Sequence, residues 1–204
     1  IFNEVQSLTD YDYALVHLFE EDPIYLDQFK KAIAKGREVI LDNSIFELEE
    51  AFDAVKFDKW VNEIKPTWYI VPDALEQSQK TIDQMEDWNN KGLGYEGSGK
   101  IGVKLLGDLL RDGVINKDKP HHLLGCGLPQ EFSFYKHSDY DWIYSLDTSN
   151  PVVHGIKGIS YGSDGLWSKE RQKLHELINS EISIDQLNTI KNNIQKFKWF
   201  TNGN

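Results

Sequence analysis

Residues 123–132, Leu-Leu-Gly-Cys-Gly-Leu-Pro-Gln-Glu-Phe, combine an apolar pair, two glycines and a proline within ten positions. The two leucines are typical of the end of a buried strand. Gly125 and Gly127 indicate a turn in which the backbone adopts a positive φ or passes close to another group. Pro129 at a first helical position, with Glu131 in the first turn, predicts that a helix begins there. The stretch is therefore a strand-to-helix junction, where α/β folds commonly bind ligands.

The same strand-and-helix unit recurs along the chain. Almost wholly apolar runs predict strands at residues 13–19, 38–42, 68–71, 100–103, 122–124 and 142–146. Helical patterns are found at residues 23–36, 57–64, 78–88, 104–120 and 183–197, and the first of these ends on Gly36. Apolar strands that alternate with helices predict a parallel sheet covered on its faces.

This alternation predicts an α/β fold, a TIM (β/α)8-type barrel that forms a single domain over residues 1–204. Such a barrel typically needs about 250 residues, whereas this chain has 204. We expect either a trimmed barrel or a barrel from which a segment is missing near residues 103–105, where a predicted strand passes directly into a helix. We favour the missing segment.

The amino-acid composition of the chain limits the kinds of partner and site that we expect. The net charge of −11 argues against a large nonspecific nucleic-acid surface, although a small local groove remains compatible with it. Cys126 is the single cysteine, so an internal disulfide and a cysteine-cluster zinc site are excluded, and we expect its side chain to be packed. No apolar run reaches the length of a membrane span. We therefore expect a cytoplasmic protein without a membrane partner.

Three predicted strands are followed by an aspartate, namely Asp42, Asp73 and Asp147. Each of these could be an ordinary turn or helix-cap residue. Because the carboxyl ends of parallel strands meet at one edge of a sheet, three aspartates at equivalent positions predict a site.

Two longer stretches, "HHLLGCGLPQEF" at 121–132 and "WIYSLDTSNPVVHG" at 142–155, resemble the tRNA-guanine transglycosylase (queuine tRNA-ribosyltransferase) superfamily. In that family a Gly-x-Gly turn and helix precede a strand that ends in the nucleophilic aspartate, with a proline and a glycine a few residues beyond. Asp147, Pro151 and Gly155 stand in those places. Residues 42–47, "DNSIFE", resemble the family's Asp-Ser-Gly-Gly-Phe-Gln, with both glycines lost and glutamine replaced by glutamate.

The sequence also departs from the family pattern. The Val-Gln-Gly-Gly strand end that should follow residues 101–103 is absent, and so is the zinc-binding insert of the transfer-RNA enzymes. Short relatives without the zinc insert, many of them in phages, look like the branch of the family that exchanges guanine for a 7-deazaguanine in DNA. This chain resembles that branch most. The resemblance to this branch implies DNA rather than RNA as the polymer partner, a 7-deazaguanine base as the small-molecule substrate, and the host cytoplasm as the location if a phage encodes the chain.

The resemblance also implies a role for each site residue. Asp147 is the nucleophile at the sugar C1′, and Asp42 moves the proton of the departing and incoming bases. Asp73 accepts from N1–H and the exocyclic amine of guanine. Phe46 supplies a stacking surface for the base, with core packing as the alternative.

Gly125 and Gly127 would let the backbone approach the base or the sugar without a Cβ in the way. No cofactor is expected. His121 and His122 could bind a metal, but no third ligand is identifiable beside them, so no metal is predicted.

Two other functions remain open at this point. One is base exchange on transfer RNA, and the other is a non-catalytic protein that binds a free base or nucleotide in the same pocket. Retention of all three strand-end aspartates favours an enzyme. The sequence does not predict the oligomeric state.

Overall fold

The computed structural model describes residues 2–70, 72, 116–128, 135, 138–163, 172, 176–177 and 180–202. The chain divides into two compact units, one of residues 9–98 and one of residues 1–8 together with 99–204. A single domain over residues 1–204 stays a prediction.

Short helices and strands alternate along the described chain. The helices are α1 (Phe2–Val5), α2 (Leu18–Glu21), α3 (Pro23–Ala34), α4 (Ile45–Leu48), α5 (Ala54–Ile64), α6 (Asn150–Ile156) and α7 (Ile184–Asn202). The strands are β1 (Asp12–Leu15), β2 (Val39–Asp42), β3 (Trp68–Tyr69), β4 (His121–Leu123) and β5 (Ile143–Leu146). Single turns of 3-10 helix lie at Gln6–Leu8 and Ser138–Tyr140.

The unit of residues 9–98 contains a parallel sheet in the order β1-β2-β3. All four residues of β2 are buried, as an apolar strand covered on both faces should be. Asp22 begins α3, because its carboxylate accepts from the backbone N–H of Ile24 and of Tyr25. The chain leaves that helix at Gly36, whose φ of +76° suits a glycine. The predicted strand at 38–42 and the predicted helix at 23–36 are confirmed.

Four aromatic rings form much of the core of this unit, with neighbouring centroids 4.8 to 5.9 Å apart: Phe19, Tyr25, Phe29 and Trp60. Phe19 lies on α2, so the strand predicted at 13–19 is wrong beyond Leu15. A short apolar run does not distinguish a strand from a buried helical turn, which explains the error. Helix α5 begins at Ala54 rather than at the predicted residue 57, because Asp53 accepts from the backbone N–H of Lys56.

The predicted TIM (β/α)8-type barrel is wrong for the described residues, which form parallel sheets of three and two strands with no eight-stranded barrel evident among them. A closed barrel pairs both edges of every strand with another strand. The N–H groups of Asp12 and Val16 point to β2, so the N–H of Leu15 faces the opposite edge of β1. There it donates to the hydroxyl of Tyr25 at 2.9 Å. A side chain therefore covers the edge that closure would need.

Several predicted elements lie wholly or partly outside the described residues. These are the strand at 100–103, the helix at 78–88, the helix that begins at Pro129, the missing segment near 103–105 and most of the helix at 104–120. The last part of that helix, residues 116–120, is a turn rather than a helix.

In the other unit, α6 packs closely against α7. A Cβ on Gly155 would lie 2.7 Å from the Cα of Ile190, so only a glycine permits this approach. The fully buried Asn193 of α7 accepts from the backbone N–H of Tyr161 and donates to the carbonyls of Pro151 and Ile159. The helix predicted at 183–197 is confirmed and continues to Asn202. None of the helices in the described ranges is both long enough and apolar enough to cross a membrane.

Replacement of Tyr25 by phenylalanine tests how the edge of β1 is covered. Tyr25→Phe keeps the ring contacts but leaves the buried N–H of Leu15 without its acceptor. We expect a loss of about 1–3 kcal/mol in the free energy of unfolding, measured by urea denaturation. The control is Tyr144→Phe, at a tyrosine that is 56% exposed, for which we expect a change within about 0.5 kcal/mol.

The stability of Tyr25→Phe and of the parent should also depend differently on pH in the alkaline range. Burial raises the pKa of the Tyr25 hydroxyl above its ordinary value. The folded state therefore disfavours the ionised form, and the stability that this contributes is present below about pH 10 and is lost as the pH rises further. Tyr25→Phe should lose less stability than the parent over that range, and an equal loss would show that Tyr25 does not carry the effect.

Candidate functional site

Strands β4 and β5 pair in parallel, and the register of the pairing shifts between His121 and His122. His121 lies opposite Ile143, whereas His122 lies opposite Ser145, which leaves Tyr144 as an extra residue in β5. Such a bulge re-aims the side chains that follow it. The result is that His122, Ser145 and the strand-end Asp147 come together.

The carboxylate of Asp147 is fixed through one oxygen. The backbone N–H of Gly125 donates to Oδ1 at 2.9 Å, and Nε2 of His122 lies 3.2 Å from the same oxygen. Among the described residues no donor contacts Oδ2. The Asp147 side chain is 23% exposed, whereas that of His122 is 8% exposed. The arrangement is a partly accessible carboxylate with two contacts at one oxygen and, within the described ranges, no donor at the other.

The glycine turn after β4 comes very close to the chain after β5. A Cβ on Gly127 would overlap Oγ1 of Thr148 and lie 2.8 Å from Nδ2 of Asn150. Nδ2 of Asn150 contacts the carbonyl of Gly127 at 3.4 Å. Gly125 has a φ of +63°, with open space where a Cβ would stand. The two glycines therefore serve the turn in different ways, one through close approach and the other through conformation.

An apolar cluster packs beneath the turn. Leu123 and Cys126 are buried at its centre, and the partly buried residues around them are Tyr135, Ile143, Leu146, Phe197 and Phe200. The prediction that Cys126 is a packed side chain is confirmed. Leu123 and Cys126 precede and follow Gly125 in the chain, so their burial restricts the backbone that donates to Asp147.

Asp42 ends β2 in the unit of residues 9–98, and both of its oxygens accept. The hydroxyl of Tyr13 donates to Oδ1 at 3.0 Å, and the backbone N–H of Ser44 donates to Oδ2 at 3.1 Å. Ser44 is fully buried and has a φ of 61°, in the left-handed region. Phe46 is 52% exposed, so its alternative as a core residue is wrong, and its stacking role stays a prediction.

The structure brings together three predicted site residues, Asp147, Gly125 and Gly127. Asp42 and Phe46 belong to the other unit, and Asp73 lies outside the described residues. The convergence of three aspartates on one edge stays a prediction. Among the described residues, no group of three histidine, cysteine or acidic side chains could hold a metal ion.

The contact of His122 with Asp147, and that of Ser145 with His122, were not predicted. Alternation along a strand could have placed Ser145 on the same face as Asp147, since residues two apart point the same way. The partnership with His122 depends on the bulge, for which the sequence carries no clear signal.

Comparison of the chain with models of known protein families and with curated proteins finds no match. Membership of the transglycosylase superfamily therefore stays a prediction.

Substitutions at the two glycines should separate their roles. At Gly125 a substitution should lower the free energy of unfolding because of the left-handed φ. We expect a loss of about 1–2 kcal/mol for Gly125→Ala and a smaller loss for Gly125→Asn, since asparagine tolerates the left-handed region. At Gly127 a side chain would overlap with Thr148 and Asn150. We therefore expect Gly127→Asn, with its larger side chain, to lose more free energy of unfolding than Gly127→Ala. Urea unfolding of the four variants measures this reversal. The same order at both positions would contradict the assignment.

Proposed function

We propose that this chain is a base-exchange transglycosylase, which replaces guanine in DNA with a 7-deazaguanine through a covalent intermediate on Asp147. The observation that carries the proposal is the state of the Asp147 carboxylate. One oxygen accepts from Gly125 and contacts His122, while the other meets no donor from the described residues. A rigidly held and partly accessible carboxylate suits attack on a sugar carbon.

The exchange takes two displacements at C1′. In the first, an Asp147 oxygen forms a bond to C1′ while the bond from C1′ to N9 of guanine breaks, and its electron pair leaves with the base, which takes up a proton. In the second, N9 of the incoming base loses its proton and bonds to C1′, and the electron pair of the C1′–oxygen bond returns to Asp147. Both steps pass through an oxocarbenium-like transition state.

Proton transfer and base reading are assigned as the resemblance implies. Asp42 moves the proton, Asp73 accepts from the guanine edge, and the exposed ring of Phe46 stacks on the base. The conformation of Ser44 supports the comparison with the family motif, because it stands where that motif has a glycine and adopts the left-handed backbone that glycine favours.

DNA is proposed as the substrate because the chain has no cysteine cluster for the zinc insert of the transfer-RNA enzymes. A base in a duplex would have to be flipped out of its stack to react. We assign the activity to the cytoplasm, or to the host cytoplasm if a phage encodes the chain.

Asp147→Asn tests the nucleophile. The amide oxygen can still accept from Gly125, so the variant should fold like the parent, but it cannot attack C1′. We expect the parent to form a covalent adduct with a labelled guanine-containing DNA oligonucleotide on a denaturing gel, and Asp147→Asn to form none. Asp141→Asn, at an exposed aspartate just before β5, is the matched control and should react like the parent.

The other outcomes decide between the alternatives. An adduct of equal intensity with Asp147→Asn would refute the assignment of the nucleophile. Adduct formation by the parent with RNA alone would favour the transfer-RNA reaction. Binding of a free base without any adduct would favour a non-catalytic protein.

Asp42→Asn tests the proton transfer. An asparagine can accept from the Ser44 N–H and donate to the Tyr13 oxygen, so little stability should be lost. We expect slow adduct formation with guanine DNA, and recovery with an oligonucleotide that carries N7-methylguanine and that the parent accepts, because this base leaves without a proton. Asp147→Asn should show no recovery. A defect in Asp42→Asn that is equal for both bases would contradict its assignment as the acid.

A further inference from the structure

We propose that His122 is the positioning residue of Asp147 and that Ser145 selects its tautomer, so that Oδ1 is held and Oδ2 is the attacking oxygen. This inference rests on the proposed function, since it concerns the same carboxylate.

His122 lies between two polar groups and is nearly shielded from water. Its Nε2 is 3.2 Å from Oδ1 of Asp147, and its Nδ1 is 2.8 Å from Oγ of Ser145. The side chain is only 8% exposed. Because both ring nitrogens have a partner, the plane of the imidazole is fixed.

The chemistry of the partners assigns the proton. An ionised carboxylate can only accept, so Nε2 carries the hydrogen and donates to Oδ1. A neutral imidazole then has its lone pair on Nδ1, which accepts from the hydroxyl of Ser145. Ser145 therefore favours the tautomer in which the ring donates to Asp147, as a partner on the other ring nitrogen does in many histidine sites.

Two donors on one oxygen make the two oxygens of Asp147 inequivalent. The Gly125 N–H and the His122 ring neutralise part of the charge on Oδ1, so Oδ2 is the better nucleophile. When Oδ2 bonds to C1′, Oδ1 becomes the ester carbonyl oxygen and keeps both donors. When the incoming base displaces Asp147, the electron pair of the C1′–Oδ2 bond returns to the carboxylate, and the same donors stabilise the returning charge.

The bulge in β5 makes this contact possible. A continuous register from His121 opposite Ile143 would place Tyr144 opposite His122. The extra residue instead brings Ser145 opposite His122. The irregular pairing therefore has a direct consequence for the carboxylate.

Amide side chains can replace one ring nitrogen at a time. The amide nitrogen of glutamine reaches the position of Nε2, whereas that of asparagine reaches only the position of Nδ1. We expect His122→Gln to keep most of the single-turnover rate of adduct formation on DNA, and His122→Asn to lose about 100-fold through misplacement of the carboxylate. The dissociation constant for the oligonucleotide should stay close to that of the parent in both variants.

A second pair tests the tautomer. Ser145→Ala removes the hydroxyl and should slow adduct formation, whereas Ser145→Thr keeps the hydroxyl and should restore the rate. If His122→Asn does not fold, this pair of variants carries the test. Thermal unfolding of each variant shows whether a slower rate comes from loss of the fold or from a misplaced Asp147 carboxylate.

The outcomes separate this inference from the proposed function. A parent that forms no adduct with DNA or RNA would overturn both. A parent that forms an adduct lost in Asp147→Asn, with equal rates for His122→Gln and His122→Asn or for Ser145→Ala and Ser145→Thr, would overturn the positioning role alone. A loss of DNA affinity without a loss of rate would also overturn it.

Discussion

The backbone N–H of Gly125 donates to the carboxylate of Asp147, and the described site depends on this contact. It exists because β4 and β5 run in parallel, so that the turn after one strand lies beside the residue that ends the other. The left-handed conformation of Gly125 belongs to the same turn. The close approach of Gly127 to Thr148 then brings the two connecting segments together. The carboxylate is therefore oriented by main chain as well as by a side chain.

The two units use strand-end aspartates in different ways. Asp42 is buried and accepts through both oxygens, from a tyrosine hydroxyl and from a backbone N–H two residues on. Asp147 is partly exposed, and both of its neighbours contact the same oxygen. Both oxygens of Asp42 therefore have a donor, whereas Oδ2 of Asp147 has none among the described residues. The two strand-end carboxylates therefore differ in exposure and in the number of their oxygens that have a donor.

The error in the fold class has a definite physical origin. An apolar strand followed by a helix predicts parallel pairing, and parallel pairing is present in both sheets. The same local pattern does not predict closure of a barrel, because closure depends on pairing between strands far apart in the chain. Whether an edge is paired or capped cannot be read from the residues of the strand itself. At β1 the answer is given by the hydroxyl of Tyr25, a residue of the next long helix.

Several features could be predicted from the sequence alone: the parallel strands, the extents of α3 and most of α7, the packed state of Cys126, and the place of Asp147 at a strand end. These features follow from local patterns of apolar residues, prolines and glycines, which act over a few positions of the chain. Three other features became visible only in the folded chain: Tyr144 is the extra residue in β5, His122 and Ser145 meet beside Asp147, and Tyr25 covers β1. Each of these depends on contacts between residues 10 to 25 positions apart, whose free energy is set by the register and packing of whole elements and leaves no periodic signal in the sequence.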